Sequence, residues 1–333
     1  MTIVLHIGMQ KTASTSIQRT MTRTPRWGNS RYIKLDLSNS NSLHTNYKDG
    51  KRKTFEKGVA ELVRAVGQDA DPAMNHVISS ENLPMLPADG VEYLLTELAR
   101  TGQRIRVVTY VRKPVSFMES MFQQRLKRRL LADDDVRQVY PQYRRKFGTY
   151  EKMAETLDLS VEYWPFLPKE MEHGCVVRDF GRRIGSPIRA EDVVQDNFGL
   201  SQPALSLLYN YRSEVEKQES KSEKGRMVKR LAKLTGPKLR FHSDLVAPIL
   251  DKYRSDIEWM ETRLGVSLEE RPAADDDPAA IRAVSDLGKV HPDTVSWLMR
   301  EVGVTWKKNG EPTGKQLARW TGQLMRKSET VSA

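Results

Sequence analysis

The stretch that decides the fold class is MTIVLHIGMQKTASTSIQ, residues 1–18. Its apolar run 3–7 has the composition of a buried β-strand, and Gly8 ends that run. Small and polar residues follow, and they lead into a segment with helical spacing. A strand, a tight turn and a helix in this order predict an anion site. The reason is that the first turn of a helix presents free N–H groups and the positive end of the helix dipole.

Side chains in the turn also suit an anionic ligand. Lys11 supplies a positive charge that can reach a phosphate or sulfate oxygen. Hydroxyl donors are present at Thr12, Ser14, Thr15 and Ser16. The turn is not a Walker A loop, GxxxxGK[ST], because Leu5 and Gln10 occupy its two glycine positions. No apolar strand ends in an aspartate suited to hold Mg²⁺, so the sequence disfavours magnesium-dependent NTP hydrolysis.

A second strand–turn–helix pattern lies in residues 104–127, RIRVVTYVRKPVSFMESMFQQRLK. Its run 105–111 is rich in β-branched residues and predicts a strand with Arg112 at its end. Pro114 is favourable in the first turn of a following helix. Ser120 lies about two helical turns beyond Arg112. The pattern therefore predicts a second strand, turn and helix, with Arg112 at the end of the strand.

Together these two segments resemble the sulfotransferases that use 3'-phosphoadenosine 5'-phosphosulfate (PAPS), in particular bacterial members that share features with glycan sulfotransferases. VISSENL within 76–86 and CVVRDFGRRIG within 160–212 extend the likeness. The resemblance implies a P-loop NTPase-like fold and no metal requirement. It implies that Arg112 and Ser120 hold the 3'-phosphate. The loop for the 5'-phosphosulfate would consist of Gly8, Lys11, Thr12, Ala13, Ser14, Thr15 and Ser16, with Ala13-Ser14 where the family more usually has Gly-Thr.

The resemblance makes Lys11 and Glu81 the candidate catalytic residues. Lys11 would neutralise the charge that builds up on the leaving phosphate oxygen. Glu81 follows the predicted strand 76–80, and ligands bind at the carboxyl ends of parallel strands, so it would act as the general base. His6 and His44 are the competing candidates for that base. His6 lies inside the first strand, where a core position is the simpler expectation.

Composition and charge narrow the class of protein. The 333 residues carry 54 Lys and Arg against 43 Asp and Glu, a net charge of +11, and a single cysteine, Cys175. No disulfide can form within the chain, which fits a reducing compartment. No segment approaches the ~20 apolar residues of a membrane-spanning helix, and no leader pattern stands at the N-terminus. We therefore expect a cytoplasmic protein without a membrane span.

The alternation of elements predicts an α/β fold, a parallel sheet flanked by helices. We expect a core over residues 1–200 and a mainly helical extension over 201–333 that packs on the same domain. The expected strands are 3–7, 76–80, 105–111, 160–164 and 174–177. The expected helices are 13–23, 55–66, 89–101, 148–158, one closed by Gly185, those within 203–234, one over 244–264 and two within 279–302. Residues 24–54 are expected to be irregular.

The expected function is transfer of a sulfuryl group from PAPS to a hydroxyl or amine of a small molecule or glycan. A P-loop kinase or NTPase-like nucleotide-binding protein is the first alternative, since it would use the same anion loop. A polyanion-binding protein is the second, suggested by basic residues within 104–146 and 212–240. Specific nucleic-acid binding is not expected, because the sequence shows neither an interleaved aromatic platform nor a known nucleic-acid-binding motif. Trp306 and the lysines after it form either a flap over the nucleotide or a mobile tail. The sequence leaves the acceptor and the oligomeric state open.

Overall fold

The structure is a computed structural model in which each of two compact units joins segments that are distant in the sequence. It describes residues 1–34, 42–68, 71–194, 199–215, 220–273, 276–277, 279–306 and 310–326. The first unit comprises Met1–Lys113, Gln142–Asn197 and Ser255–Leu268. The second comprises Pro114–Pro141, Phe198–Arg254 and Glu269–Ala333. The expected division at residue 200 stays a prediction.

Strands and helices alternate along the first part of the chain. The strands are β1 Thr2–Ile7, β2 Arg26–Trp27, β3 Ser30–Tyr32, β4 Asn75–Ser80, β5 Arg104–Val111, β6 Leu159–Pro165, β7 Arg240–Phe241 and β8 Ala280–Ile281. The helices are α1 Ser14–Arg23, α2 Ser42–Lys48, α3 Arg52–Gly67, α4 Ala88–Ala99, α5 Pro114–Leu126, α6 Asp133–Arg137, α7 Tyr143–Ala154, α8 Val176–Arg183, α9 Gln202–Glu214, α10 Lys221–Leu231, α11 Ser243–Lys252, α12 Arg254–Leu264, α13 Pro292–Val302 and α14 Gly314–Arg326. Short 3-10 turns lie at Leu83–Met85, Glu172–Gly174, Ala190–Asp192 and Val284–Gly288.

A six-stranded sheet forms the centre of the first unit, in the order β2-β3-β4-β1-β5-β6. β1 runs parallel to both of its neighbours, β4 and β5, and the β3–β4 and β5–β6 pairs are also parallel. The two-residue β2 pairs antiparallel with β3. The expected α/β fold with a parallel sheet flanked by helices is therefore confirmed.

The core lies on both faces of this sheet. Val4 packs with Ile17 of α1 and Phe180 of α8 in one cluster of buried side chains. Ile3 and Leu5 alternate onto the opposite face and are equally buried. A strand that is buried on both faces needs a continuous apolar run. This explains why the first strand could be predicted from the sequence.

Register in the sheet aligns the ends of the two strands that lead into predicted site residues. Ile7 at the end of β1 pairs with Ser80 at the end of β4, and the strands are parallel. Gly8 directly follows β1 and Glu81 directly follows β4. Both residues therefore lie at the same edge of the sheet, where these two parallel strands end.

Two expectations about local structure in the first unit were wrong. Residues 24–54 are not simply irregular, because they contain β2, β3 and α2; β3 is held by its pairing with β4. Residues 174–177 do not form a strand: α8 begins at Val176. The apolar residues there follow a helical spacing, since Val177, Phe180 and Ile184 are all buried.

The expected long helix over 244–264 is divided into α11 and α12. The backbone leaves the helical conformation at Tyr253, where φ is −107° and ψ is 18°. Residues on either side of the Arg254–Ser255 bond also belong to different compact units. The expected stop near Gly265 is confirmed, with φ +67° at that glycine.

The second unit is mainly helical. Helices α9 and α10 confirm the expected helices within 203–234, while β7 and β8 form a two-stranded parallel sheet. Within 279–302 the expected pair of helices is instead β8, a 3-10 turn and α13. Helix α14 was not expected in the basic tail, and Lys307 and Lys308 lie outside the described residues. Across the described ranges, no helix combines the length and apolarity that crossing a bilayer would require.

Candidate active site at the edge of the parallel sheet

The loop between β1 and α1 has the backbone conformation of an anion-binding concavity. Gly8 begins it by donating its N–H to the carbonyl of Ser80, 3.1 Å away. Lys11 and Ala13 then adopt positive φ angles of 65° and 61°, in the left-handed region. When residues with left-handed backbone conformation alternate with right-handed ones, successive N–H groups point toward one side of the chain. This anion-binding geometry is called a nest.

Backbone N–H groups of residues 12–15 are available in this loop. Among the described residues, none of these four groups donates a hydrogen bond. The N–H of Ser16 donates to the carbonyl of Ala13 at 2.9 Å, and Ile17 donates to the same carbonyl. Since α1 begins at Ser14, the free donors coincide with the positive end of its dipole.

Two of the loop hydroxyls support the loop itself. Thr12 donates from Oγ1 to the carbonyl of Met9 at 2.6 Å, and Ser14 donates from Oγ to the same carbonyl at 3.5 Å. Both side chains are buried, whereas Thr15 is half-buried. The hydroxyls of Thr12 and Ser14 therefore bond within the loop, to the carbonyl of Met9, while their backbone N–H groups donate no hydrogen bond among the described residues.

A glycine is required at position 8 by close packing. A Cβ atom there would lie 2.3 Å from Oγ of Ser14 and 3.4 Å from Cα of Glu81. The missing side chain lets the start of α1 approach the ends of β1 and β4. This proximity brings the loop and the residue after β4 into one site.

Glu81 is placed at that edge by β4 and is half-buried. In the described residues, no hydrogen bond or ion pair occupies its carboxylate. The predicted roles of Lys11 and Glu81 stay predictions, but the structure brings the two segments together.

Arg112 follows β5 and reaches the loop. Its Nη1 donates to the carbonyl oxygen of Lys11 at 2.9 Å, and its backbone N–H contacts Sδ of Met9 at 3.5 Å. The guanidinium carbon lies 5.6 Å from the ring centroid of Phe166, and Tyr143 donates to the Arg112 carbonyl at 2.7 Å. Arg112 is thus fixed by neighbours on three sides while its positive charge stays at the edge of the sheet.

Ser120 is half-buried in the second turn of α5. That helix belongs to the second unit, whereas Arg112 belongs to the first. The proposed pairing of Arg112 with Ser120 on a 3'-phosphate stays a prediction.

His6 lies in the core beneath the loop, as its strand-interior position led us to expect. It is fully buried, its Nδ1 lies 2.8 Å from Oγ of Ser79, and its ring centroid is 5.1 Å from that of Phe180. Burial lowers the pKa of His6 to about 4, so the ring is neutral near pH 7. Gln18 of α1 donates to the Ser79 carbonyl at 3.3 Å. The hydrogen bond from Gln18 to Ser79 connects α1 to β4.

His44 lies on α2 and is half-buried. Partial burial and the positive charge of Lys48 both lower the pKa of His44. The negative charge of Asp49 acts in the opposite direction but does not cancel them. Among the described residues, His44 makes no hydrogen bond or ion pair with the loop, and the choice between Glu81 and a histidine as the base stays a prediction.

Sequence reasoning missed Met9, Phe166 and Tyr143. Met9 and Phe166 are apolar, and Tyr143 stands at the start of a helix far along the chain, so none carried a chemical signal.

Over the ranges that the structure describes, no group of three or more His, Cys, Asp or Glu side chains is placed to hold a metal ion. Comparisons of the chain with protein-family models, curated proteins and solved structures found no match.

Proposed function

We propose that the chain is a sulfotransferase that takes a sulfuryl group from PAPS and transfers it to a hydroxyl or amine. The observation that carries the proposal is the nest at residues 12–15, whose free N–H groups lie next to Lys11 at the edge of a parallel sheet. Such an edge is where α/β proteins bind ligands, and a helix N-terminus with free donors binds phosphate or sulfate groups.

The loop fits the phosphosulfate end of this cofactor. Its N–H groups suit the oxygens of a small dianion, and Lys11 adds charge without requiring a metal ion. In a Walker A loop, GxxxxGK[ST], the first glycine precedes the lysine by six residues and the loop wraps a nucleotide β-phosphate, whereas Gly8 precedes Lys11 by only three residues. The compact loop supports a cofactor with one 5'-phosphate rather than a nucleoside triphosphate.

Each residue at the edge would have one task. The bound cofactor supplies the sulfuryl group. Lys11 stabilises negative charge at the bridging oxygen of the leaving phosphate, and the N–H groups of residues 12–15 hold that phosphate in place. Glu81 accepts the proton of the acceptor hydroxyl or amine. Arg112 holds the loop and adds positive charge for the 3'-phosphate.

A kinase or NTPase-like nucleotide-binding protein remains the alternative, because it would use the same nest. Binding of 3',5'-bisphosphoadenosine, the desulfated product, separates the two classes from each other. We expect this bisphosphate to raise the thermal unfolding midpoint more than ATP with Mg²⁺. At one hundred times its dissociation constant, a ligand stabilises the folded chain by about 2.7 kcal/mol.

Thermal shift and titration calorimetry on the full chain test the proposal. Lys11→Ala should remove most of the stabilisation by the bisphosphate, while Lys57→Ala, a change at an exposed lysine of α3, should not. Greater stabilisation by ATP with Mg²⁺ than by the bisphosphate would favour the kinase or NTPase class. No stabilisation by either ligand would overturn both.

A further inference from the structure

Helices α10 and α14 of the second unit lie side by side and expose cations. Met227 and Leu231 are the buried positions of α10, and Leu317, Trp320 and Leu324 are among those of α14. The apolar sides of both helices therefore face the interior of the unit. The polar sides face solvent, where charged residues are free to meet a partner.

Three exposed cations share one side of α10 and the turn after it. Arg226, Lys229 and Lys233 are all exposed and follow each other at intervals of three and four residues. This spacing keeps side chains on one face of a helix, and the three span about 10 Å along its axis. Lys315 and Arg319 are exposed one turn apart on α14. We call these five residues the basic surface.

The cations of the basic surface have no ionic partners among the described residues. Exposed arginines elsewhere do have them: Arg254 lies 2.6 Å from Asp251, and Arg52 lies 3.1 Å from Asp89. The carboxylate of Glu223 on α10 accepts the N–H of Ser220 at the start of the helix. Unneutralised like charges held close together repel each other, so an anionic partner that relieves the repulsion is favoured.

We propose that the basic surface binds an acidic polysaccharide, a flexible chain with regularly spaced carboxylate or sulfate groups. The described faces of α10 and α14 expose no aromatic side chain on which bases could stack, since Trp320 is buried. They also expose no large apolar side chain for insertion into a membrane surface. A flexible polyanion needs only a row of charges that it can follow, and each helix offers one: three cations along α10 and the turn after it, and two along α14.

Duplex DNA is the competing polyanion. It is a stiff rod over the length of a small protein, and proteins that read it insert a helix or strand into a groove. Because α14 packs against α9 and α10, its cations lie on the side of a helix packed within the unit. This arrangement favours the flexible chain, and the experiment below includes duplex DNA as a competitor.

Binding to the basic surface is independent of the proposed sulfuryl transfer, since it needs neither cofactor nor turnover. Fluorescence anisotropy with a labelled heparin-derived oligosaccharide, on the full chain without nucleotide, tests it directly. The α10 variant Arg226→Gln/Lys229→Gln/Lys233→Gln should bind about tenfold more weakly at low salt. The α14 variant Lys315→Gln/Arg319→Gln should lose several-fold, and its logarithm of affinity should fall less steeply with salt than that of the unaltered chain.

A matched control variant shows whether binding depends on the cations of the basic surface or only on the net charge of the chain. Lys53→Gln/Lys57→Gln/Arg64→Gln removes three exposed cations from α3 in the first unit. Binding in this control should stay within about twofold of the unaltered chain. An equal loss in the control would overturn the proposal, and so would tighter binding of duplex DNA with the same number of charges. Thermal midpoints of all variants near that of the unaltered chain exclude misfolding as the cause.

Discussion

Nη1 of Arg112 donates a hydrogen bond to the carbonyl oxygen of Lys11 over 2.9 Å, and this bond joins the end of β5 to the loop after β1. Lys11 has a φ of 65°, a conformation that costs a residue with a Cβ about 1 kcal/mol or more. A charged hydrogen bond contributes enough to offset that cost. Arg112 therefore holds the loop in the conformation that exposes its N–H groups, a role separate from any contact with a 3'-phosphate.

The first prediction separates these two roles of Arg112. Arg112→Gln should weaken binding of 3',5'-bisphosphoadenosine and also of 5'-AMP, by about tenfold or more, because the loop loses its charged hydrogen bond. Calorimetric titration with both nucleotides measures the effect. Arg104→Gln, at the exposed start of the same strand, should leave both affinities unchanged. Weakened binding of the bisphosphate alone would limit Arg112 to the 3'-phosphate.

The second prediction concerns the packing at Gly8. Gly8→Ala should lower stability by about 1–3 kcal/mol, because the new Cβ would lie 2.3 Å from Oγ of Ser14. Adding Ser14→Ala removes that oxygen but leaves a Cβ at 3.0 Å, so the double variant should regain part of the loss. Thermal unfolding measures both. Gly67→Ala, which would meet no atom within 4 Å, is the control. Equal stability of Gly8→Ala and Gly67→Ala would contradict the close approach.

The third prediction distinguishes Lys11 from Glu81. Lys11→Ala should weaken bisphosphate binding by about tenfold or more, since a charged donor is lost while lysine and alanine share the same cost of positive φ. Glu81→Gln should leave that affinity unchanged or slightly higher, because a negative charge near an anion is removed.

Turnover adds a second measure for the same pair. Glu81→Gln should reduce PAPS consumption in the presence of an acceptor by about a hundredfold. Activity within about threefold of the unaltered chain would rule out a general base at position 81. Lys11→Ala should reduce turnover with every acceptor, since it acts on the leaving phosphate.

The fourth prediction follows from the buried His6. Its pKa is about 4 in the folded chain and 6.5 in the unfolded chain, so only the unfolded chain takes up a proton as the pH falls between these values. Stability should therefore fall by about 1.4 kcal/mol per pH unit over this window from this group, with no contribution above pH ~7. His6→Asn should lose less of its thermal midpoint between pH 7 and pH 5 than the unaltered chain. His291→Asn, at an exposed histidine, should keep the full dependence.

Much of the sheet was predictable because its central strands are buried on both faces. β1 and β5 are rich in apolar and β-branched residues, and β4 has a shorter apolar core of Val77 and Ile78; these patterns do not depend on any distant residue. β2 and β3 are two and three residues long, too short for any periodicity, and β3 exists through its pairing with β4. The Cys175-Val176-Val177 run was misjudged because a short apolar run fits a strand and a helix equally well.

The sequence by itself determined that a strand, a small-residue turn with Lys11 and a helix follow one another, since local propensity and hydrophobic period act over a few residues. It also identified Gly8, Glu81 and Arg112 as residues that follow strands. The tertiary structure decided that these three positions meet at one edge, because strand order and register depend on pairing between segments up to a hundred residues apart. It also decided the bond from Arg112 to Lys11 and the burial of His6, since both depend on side chains that only the folded sheet and its helices bring into contact.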